Sequence, residues 1–369
     1  MTEAINEMDP VSPRKKLKRS KILIYSLLTL LLIIVAIVIF YINSVLGFAN
    51  KISDPDDSAF KGVESNEPLP VWEGTERVNI LLLGADARGL AENEVPRSDS
   101  MIIASIDPVT KKATMFSVLR DTYAAIPGHN DNRINAALAL GGPSLAMNTI
   151  SELTGLSIQY YIYTDFQGFI KLIDAMGGID FEVEKRMHYI DRADDPQYYI
   201  DLQPGFQHLD GTTALQYVRF RKDALSDFTR TERQRNFLTA VADKVKQTSS
   251  LIKLPLLLNS VAPYIETNMG IDDMVKLGRL GFDIDTTSIP SVMIPPYELL
   301  REEKIGGADV ISITDSDKLH EYVQEQLNPI VVEPVTPDGA TTDGATTDPA
   351  TDSSSNSSNN SATDREVTP

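Results

Sequence analysis

The sequence contains no cysteine, which excludes disulfides, thiolate metal sites and cysteine nucleophiles. Basic residues are also in deficit, with 34 Lys and Arg against 52 Asp and Glu, so the formal net charge is -18 at pH 7. A chain this acidic is a poor partner for nucleic acid, which proteins bind through its phosphates. The 4 histidines show no metal-ligand spacing, and neither a Walker-type glycine loop nor a GxSxG elbow occurs.

One uncharged, mostly apolar run spans residues 22–42. At about 1.5 Å per residue, a helix of this length crosses a hydrocarbon core of roughly 30 Å. The run follows a basic cluster made of Arg14, Lys15, Lys16, Lys18, Arg19 and Lys21. The cluster predicts a cytoplasmic N-terminus with the rest of the chain outside, as in a single-pass type II protein of the cell membrane. A cleaved signal peptide is the alternative, but its apolar region typically has only about 7–15 residues.

The composition divides the chain into successive segments. Residues 1–21 are predicted to form a basic cytoplasmic tail and residues 22–42 a transmembrane helix. Residues 43–70, rich in Asp, Ser and Pro, read as an extracellular tether before a folded domain at 71–332. Residues 333–369 are acidic, rich in Thr, Ser and Asp and nearly free of large apolar side chains. Such a tail cannot bury a core, so it is predicted to be disordered.

The folded region alternates strand and helix patterns. Apolar or β-branched runs predict strands at 78–83, 101–106, 113–119, 158–163 and 179–183. Helices are predicted at 134–140, 144–153, 166–176 and 212–217, with Asp210 capping the last. Thr229 and Glu232 fit a capping box that opens a long helix toward Lys246. The alternation predicts an α/β fold, and the lack of a linker-like stretch favours one large domain.

Charged residues recur at the ends of three predicted strands. Each strand has an acid and an arginine at one end, namely Asp86 with Arg88, Arg97 with Asp99, and Arg120 with Asp121. In open α/β sheets, ligands collect at the carboxyl ends of strands. Two carboxylates, Asp86 and Asp99, would suffice for Mg²⁺, which completes its shell with water and substrate phosphate. Each pair taken singly is also explained as a surface ion pair of little energetic worth, but their recurrence favours a site.

A window of arginines follows, between residues 215 and 237. It contains Arg219, Arg221, Arg230, Arg233 and Arg235, together with Gln234. The planar guanidinium group holds phosphate oxygens in pairs. On a helix, Arg230, Arg233 and Gln234 share one face, and the first turn of a helix also favours an anion. The alternative is a charged surface helix, but this density in so acidic a chain predicts a site for phosphate or pyrophosphate.

Taken in order, these segments resemble the LytR-CpsA-Psr family of cell-wall proteins. The matching stretches are NILLLGADAR (79–88), RSDSMIIASIDP (97–108), SVLRDTY (117–123), RINAALALGG (133–142), IQYYIYTDFQGFIKLIDAMGGIDFEV (158–183), HLDGTTALQYVRFR (208–221) and SDFTRTERQRNFL (226–238). The resemblance implies one α/β sandwich with a mixed central sheet flanked by helices, preceded by a single transmembrane helix. It covers little of residues 251–332 and none of the acidic tail.

The resemblance also implies an activity. Members are phosphotransferases that use Mg²⁺ and move an anionic glycopolymer, such as teichoic acid, from an undecaprenyl-pyrophosphate carrier to peptidoglycan. The transfer forms a phosphodiester link outside the cell, at the membrane where the lipid resides. Three other functions stay open: a phosphatase acting on the same lipid pyrophosphate, a non-catalytic protein that binds the wall polymer, and a regulator of transcription.

The matched motif positions imply roles for individual residues. Asp86 and Asp99 match the metal-associated acids. Positions associated with the pyrophosphate are matched by Arg97, Arg120, Arg219, Arg221, Arg230 and Gln234, and we place Arg88 and Arg233 with them. The catalytic candidates are Asp99, Arg120 and Asp121, with Asp99 or Asp121 helping to deprotonate the attacking hydroxyl.

Overall fold

The computed structural model describes residues 14–62, 69–90, 94–192, 195–222, 227–247, 254–286 and 289–328. The predicted acidic tail at 333–369 lies outside the described residues, as do the first part of the predicted basic tail and residues 63–68 of the predicted tether. The described part is helical at its start and then alternates strands with helices.

The strands and helices are numbered here in chain order. The strands are β1 (Val78–Ala85), β2 (Ser98–Ile106), β3 (Ala113–Val118), β4 (Tyr123–Ala124), β5 (Asn132–Arg133), β6 (Tyr160–Asp165), β7 (Ile179–Val183), β8 (Met187–Tyr189), β9 (Ile200–Leu202), β10 (Gly205–Leu209), β11 (Ile265–Thr267), β12 (Ser291–Ile294), β13 (Leu300–Ile305) and β14 (Ala308–Ile313). The helices are α1 (Arg14–Ile52), α2 (Ala136–Thr154), α3 (Phe166–Ala175), α4 (Gly211–Arg219), α5 (Asp227–Lys246), α6 (Leu254–Val261), α7 (Ile271–Asp283) and α8 (Ser316–Leu327).

The central sheet is six-stranded, in the order β11-β6-β1-β2-β3-β12. Strands β1 and β6 run parallel, as do β3 and β12, whereas β2 is antiparallel to both of its neighbours. The sheet is therefore mixed. Because helices cover both faces, the inner strand β1 reads VNILLLGA and is mostly buried on both sides.

Each face of the sheet packs against its own set of helices. Leu81 and Leu83 of β1 point into a core that includes Leu138 of α2 and Leu319 of α8. On the other face, Ile80 packs in a cluster with α7, while α3, α4, α5 and α6 share a separate apolar cluster. This arrangement confirms the predicted α/β fold with a mixed sheet flanked by helices.

Helix α1 spans 39 residues and enters the segment that was predicted as a tether. Its part from Lys21 to Ile52 is long and apolar enough to cross a membrane, and the apolar side chains at 22–40 are exposed. The end of the helix is different, because Ala49 and Ile52 are buried against the folded domain. Phe60, just beyond, is fully buried and packs edge-to-face on Tyr163 with ring centroids 4.8 Å apart.

The local predictions about helices have different outcomes. Helix α2 consists of two helical stretches that meet at Gly141 and Gly142, which leave helical geometry, so the two helices predicted at 134–140 and 144–153 are confirmed apart from their exact ends. The capping box at Thr229 and Glu232 is wrong, because α5 begins at Asp227 and already contains Thr229. The cap of α4 is confirmed, since the Asp210 carboxylate accepts a hydrogen bond from the backbone N–H of Thr213 at 2.8 Å.

Candidate functional site

The charged strand ends meet at one edge of the central sheet. Ala85, the last residue of β1, pairs with Ser98 at the start of β2 and with Asp165 at the end of β6. Strand β3 ends beside the first half of β2, where Ser117 pairs with Ile102. The antiparallel and parallel pairings together bring the residues after β1 and β3 to the residues that begin β2. Sequence spacing alone does not fix this convergence.

Three carboxylates at this edge form ion pairs with guanidinium groups. Arg88 donates two hydrogen bonds to Asp86, from Nε at 2.7 Å and from Nη2 at 2.6 Å. Arg120 donates from Nη1 to the carboxylate of Asp99, and its Nε lies 3.6 Å from Oδ2 of Asp121. Arg120 therefore lies between two acids contributed by different strand ends.

Asp121 is set back from the cavities described below. Its carboxylate accepts a hydrogen bond from Nη1 of Arg133 at 2.9 Å. Its backbone oxygen accepts a bond from the N–H of Ile311, which ties this loop to the β13–β14 hairpin. Asp121 thus contacts Arg120 and Arg133, both of which line a cavity, but is not part of the lining of either of the two cavities described below.

Aromatic rings hold two of the arginines in place. The guanidinium carbon of Arg88 lies 3.9 Å from the ring centroid of Tyr198, and that of Arg219 lies 5.0 Å from the centroid of Phe166. Such stacking orients a cation without using its hydrogen-bond donors. Sequence reasoning missed Tyr198, which lies in a short 3-10 turn at Pro196–Tyr198, because no local signal ties that turn to the arginines.

Helix α5 contributes two deeply buried arginines to the predicted site, Arg230 and Arg233. Arg230 is only 4% exposed, and its Nη2 lies 3.0 Å from the backbone oxygen of Asp99 and 2.7 Å from Oδ1 of Asp227. Arg221 lies 3.1 Å from the same Asp227 oxygen. Burial lowers the pKa of Arg230 to about 10, although Asp227 acts in the opposite direction. Positive charge is thus concentrated beside Asp99, and the carboxylate of Asp227 pairs with both Arg221 and Arg230.

Gln234 and Asp165 complete the polar residues at this edge. The side-chain oxygen of Gln234 accepts a hydrogen bond from Ser100, and its amide nitrogen donates to the backbone oxygen of Val218. Asp165 caps α3 by accepting a bond from the N–H of Gly168 at 2.7 Å. Burial raises the pKa of Asp165, and the nearby charge of Asp86 raises it further. Asp165 carried no sequence signal beyond its place at a strand end.

A cavity of about 680 Å³ extends from these residues into the protein, and we call it the apolar cavity. Leu82, Ile102 and Ile162 are partners across β1, β2 and β6, and they form a row along one side of it. Its other apolar lining comes from helices and from strands β9 and β11, namely Phe166, Phe169, Leu172, Ile200, Leu215, Val218, Phe237, Leu238, Val241 and Ile265. Its polar end includes Asp86, Asp99, Arg120, Arg219, Arg221, Arg230 and Gln234.

A second cavity of about 430 Å³ adjoins the first. It shares Asp86, Asp99 and Arg120 with the apolar cavity. The rest of its lining comes from the loop before β2, from β5 and from α2, namely Leu90, Val95, Pro96, Arg97, Arg133, Asn135 and Ala139. We call it the second cavity.

The structure therefore brings together seven of the predicted site residues at one cavity and places the others around them. Arg97 is exposed and lines only the second cavity. Arg88 reaches the site through Asp86 and Tyr198. Arg233 is buried, contacts Glu184 at 2.9 Å and donates to the backbone oxygen of Phe220. Arg235, also in the arginine window, points away and donates to Ser291 of β12.

Asp86 and Asp99 are the residues that could hold a divalent cation. Within the described ranges, no group of three or more His, Cys, Asp or Glu is arranged to hold a metal ion. Two carboxylates are nevertheless compatible with Mg²⁺, because that ion commonly takes one or two carboxylates and completes its shell with water and phosphate. Both acids line the same two cavities, so the donor set fits an ion shared with a phosphate ligand.

Comparison with known proteins gives the same family at the level of sequence. The model of the LytR_cpsA_psr family matches residues 40–327. The regulatory protein MsrR of Staphylococcus aureus is 32% identical over 256 residues, which is 68% of this chain and 75% of MsrR. The polyisoprenyl-teichoic acid–peptidoglycan teichoic acid transferase TagU of Enterococcus faecalis is 32% identical over 252 residues, covering 66% of this chain and 80% of TagU.

Solved structures share the fold as well. A structure of Bacillus subtilis TagT bound to LI-WTA superimposes with a TM-score of 0.55 at 26% identity. The match covers 73% of this chain and 96% of the TagT chain. The mixed sheet and its flanking helices are therefore an architecture that these proteins have in common.

Proposed function

The chain belongs to the LytR-CpsA-Psr family, and from that premise we propose that it transfers an anionic glycopolymer from a polyprenyl-pyrophosphate carrier to peptidoglycan. Transfer of a cell-wall glycopolymer is the activity that the name of its relative TagU states. We further propose that the donor is a lipid pyrophosphate, that the product is a phosphodiester, and that the metal is Mg²⁺.

The observation that carries the proposal is the shape and charge of the apolar cavity. Much of the lining is aliphatic and aromatic, and the polar part includes four arginines and Lys222 together with Asp86, Asp99, Asp165 and Asp191. A long isoprenoid chain needs an apolar lining, and a pyrophosphate needs paired donors and positive charge. A single ligand with both properties is an isoprenoid pyrophosphate. TagT, a structural neighbour, has been solved bound to LI-WTA.

The proposed reaction is one displacement at phosphorus. A hydroxyl oxygen of the glycan forms a bond to the sugar-linked phosphorus, and the bond from that phosphorus to the bridging oxygen breaks. The bridging oxygen leaves with the electron pair as the lipid monophosphate. The hydroxyl proton passes to Asp99 or Asp121, the acids on either side of Arg120. Phosphoryl transfer depends mainly on positioning and on neutralising charge, which is what fixed guanidinium groups supply.

Mg²⁺ would be held by Asp86 and Asp99. When bound, it would offset negative charge on the phosphate oxygens. The arginines would also neutralise negative charge on the phosphates. Arg219, Arg221 and Arg230 line the polar end of the apolar cavity, and Arg120 lies beside Asp99.

The anchor helix supports a location at the membrane. Helix α1 is long and apolar enough to span the bilayer, and the basic residues before it favour a cytoplasmic N-terminus. The catalytic domain would then lie outside the cell, where the lipid carrier presents its head group. The energy for transfer is contained in the pyrophosphate bond, so no nucleotide is needed.

A binding or regulatory role is the second candidate, because MsrR is named a regulatory protein. One reaction distinguishes a transferase from a binding protein and from a phosphatase. Full-length protein in detergent is incubated with a defined lipid-pyrophosphate disaccharide and peptidoglycan oligomers, with and without Mg²⁺. A transferase joins the sugar to glycan and releases lipid phosphate in equal amounts. Release without joining indicates a phosphatase, and neither product indicates binding alone.

A further inference from the structure

The second cavity lies next to the proposed reaction centre without belonging to the lipid site. It shares only Asp86, Asp99 and Arg120 with the apolar cavity. Its other lining comes from the segment before β2, from Arg133 of β5 and from Asn135 and Ala139 at the start of α2. None of these residues lines the apolar cavity. Three side chains thus separate two spaces that are built from different parts of the chain.

The lining of the second cavity suits a sugar rather than a lipid. Its volume of about 430 Å³ falls within the range of roughly 300–1,000 Å³ that is usual for small-molecule sites. Leu90, Val95, Pro96 and Ala139 supply apolar surface, while Arg97 and Arg133 supply hydrogen-bond donors. A pyranose ring needs this combination, because it has apolar C–H faces and a rim of hydroxyl groups.

Asn135 is an independent sign that the second cavity takes a polar ligand. The residue is only 5% exposed, and its side-chain oxygen has no hydrogen-bond partner among the described residues. An amide oxygen left unpaired in the interior is destabilising, because it has lost its hydrogen bonds to water without replacement. The oxygen is closed to solvent in this structure, and a hydroxyl or amide donor from a ligand would satisfy it once the side chain turns toward the cavity. Asn135 precedes α2 without capping it, so its side chain has no structural use at the helix end.

The chemistry of the proposed reaction requires such a space. In phosphoryl transfer the attacking and leaving oxygens lie roughly in line on either side of the phosphorus. If the lipid occupies the apolar cavity, the lipid phosphate leaves on that side of the shared residues. The attacking hydroxyl must then approach from elsewhere, and the second cavity reaches Asp99 and Arg120 without passing through the lipid site.

We propose, building on the function above, that the second cavity is the acceptor site and binds a short segment of a glycan strand. The hydroxyl that it presents at Asp99 and Arg120 is the one that forms the new bond to phosphorus. Arg97 and Arg133 lie at positions where they can contact carboxylates or hydroxyls of the strand. Arg97 is then an acceptor-binding residue instead of the pyrophosphate ligand that the motif comparison implied.

The test fills the second cavity and follows each substrate separately. Ala139 on α2 lines the cavity, whereas its neighbour Leu140 is exposed and does not. Full-length Ala139→Phe and the matched control Leu140→Phe are assayed with a lipid-pyrophosphate disaccharide and a tetrasaccharide of alternating N-acetylglucosamine and N-acetylmuramic acid. We expect Ala139→Phe to raise KM for the tetrasaccharide at least tenfold, with unchanged KM for the lipid and unchanged Tm. Leu140→Phe should match the parent protein.

A second variant guards against misfolding and gives a smaller change. Asn135→Ala should raise KM for the tetrasaccharide severalfold without altering lipid binding. The inference is overturned if Ala139→Phe raises KM for the lipid instead, because the cavity would then hold the donor sugar. It is also overturned if neither constant changes in either variant. Failure of the proposed function gives a different result, since the parent protein itself would form no glycan-linked product.

Discussion

Arg120 is the residue that connects most of the proposed reaction centre. It contacts Asp99, approaches Asp121 at 3.6 Å and lines both cavities. A planar guanidinium group can address two acids and a phosphate at once, whereas an ammonium group is a point charge. The role of Arg120 therefore depends on its shape as well as on its charge.

Replacing Arg120 tests that dependence. Loss of one fixed donor at a transition state typically lowers kcat by about 10²–10³, and we expect this from Arg120→Ala. Arg120→Lys should recover only a small part, because it keeps the charge but not the fork. Arg279→Ala, on the exposed side of α7, is the matched control and should have no effect. Transfer rates at saturating lipid measure the difference, and full activity in Arg120→Lys would contradict the argument.

Asp165 combines a structural and an electrostatic property at the same edge. Its side chain caps α3. Burial raises the pKa of Asp165, and the negative charge of Asp86 raises it further. A carboxyl whose pKa is raised on folding binds its proton more tightly in the folded state. The stability that it contributes is full below the unfolded pKa and is lost as the pH rises through the folded pKa.

Asp165→Asn removes the charge and keeps a side chain that can cap the helix. Near neutral pH the variant should therefore have a higher free energy of unfolding than the parent. The gap should close as the pH falls toward about 4, where the unfolded carboxyl takes up its proton. Asp165→Ala loses the cap and should cost about 1 kcal/mol even at low pH. Urea unfolding from pH 4 to 7.5 measures this, and a gap that widens on acidification would disprove it.

At the scale of the elements, the apolar cavity depends on how closely α3 and α4 approach. Gly211 begins α4, and its N–H donates to the carboxylate of Asp174 at 2.7 Å. A Cβ atom at Gly211 would lie only 2.3 Å from the backbone oxygen of Ile170 in α3. A backbone oxygen cannot move away by changing rotamer, as a side-chain atom can. A methyl group at Gly211 would therefore push the two helices apart.

Gly211→Ala should accordingly destabilise the fold by about 1–3 kcal/mol, the usual cost of overpacking. The matched control is Gly278→Ala in α7, where a Cβ would meet nothing within 4 Å. Because glycine is a poor residue inside a helix, that control should gain about 0.5–1 kcal/mol. Thermal unfolding of both variants measures the contrast. A Gly211→Ala variant as stable as the parent would show that the helices separate without cost.

Local chemistry explains which elements were predictable from the sequence. Strand β7 and the cap of α4 were placed correctly because β-branched alternation and an Asp side chain act over a few residues. The start of α5 was misplaced, because Thr229 has the right residue type for a cap but lies inside the helix. The meeting of Tyr198 with Arg88 was missed, since a contact across 110 residues leaves no mark on either segment.

The candidate site also has features that could be predicted from the sequence and features that could not. Arginine density and acids at strand ends predicted the site residues, because charge and chain position can be read from sequence, and the structure places seven of them at one cavity. Their tertiary partners could not be identified. Asp227 and Arg230 are an i,i+3 pair within α5, but the hydrogen bond from Arg230 to the backbone oxygen of Asp99 joins residues 131 positions apart. The second cavity had no sequence signal at all, because a void arises from the packing of α2, β5 and the loop before β2 together.

At the scale of the whole molecule, helix α1 and the folded domain are directly joined. The end of α1 packs on α6, and Asn259 of α6 approaches Ser44 of α1. Glu266 on β11 accepts hydrogen bonds from Ser58 and from the N–H of Ala59. Phe48 of α1 packs against the cluster that includes Leu257. Several apolar residues of the cavity, including Phe169 and Ile265, belong to or pack on that same cluster.

This coupling predicts that the domain is held close to the bilayer surface, so that a membrane lipid reaches the apolar cavity over a short distance. Inserting a flexible Gly-Ser segment after Ile42 would keep the docked part of α1 on the domain but free it from the membrane-spanning part. Because a longer, looser tether lowers the effective concentration of two linked partners, transfer from a long-chain lipid in vesicles should fall by roughly tenfold.

A soluble short-chain donor does not depend on the bilayer, so its transfer should be unchanged by the insertion. The same segment placed between Gly306 and Gly307, in the turn of the β13–β14 hairpin, controls for the insertion itself. Initial rates with the two donors give a ratio for each protein. Equal loss with both donors would mean that the insertion damages the domain, and no loss with either would mean that docking of α1 does not position the cavity.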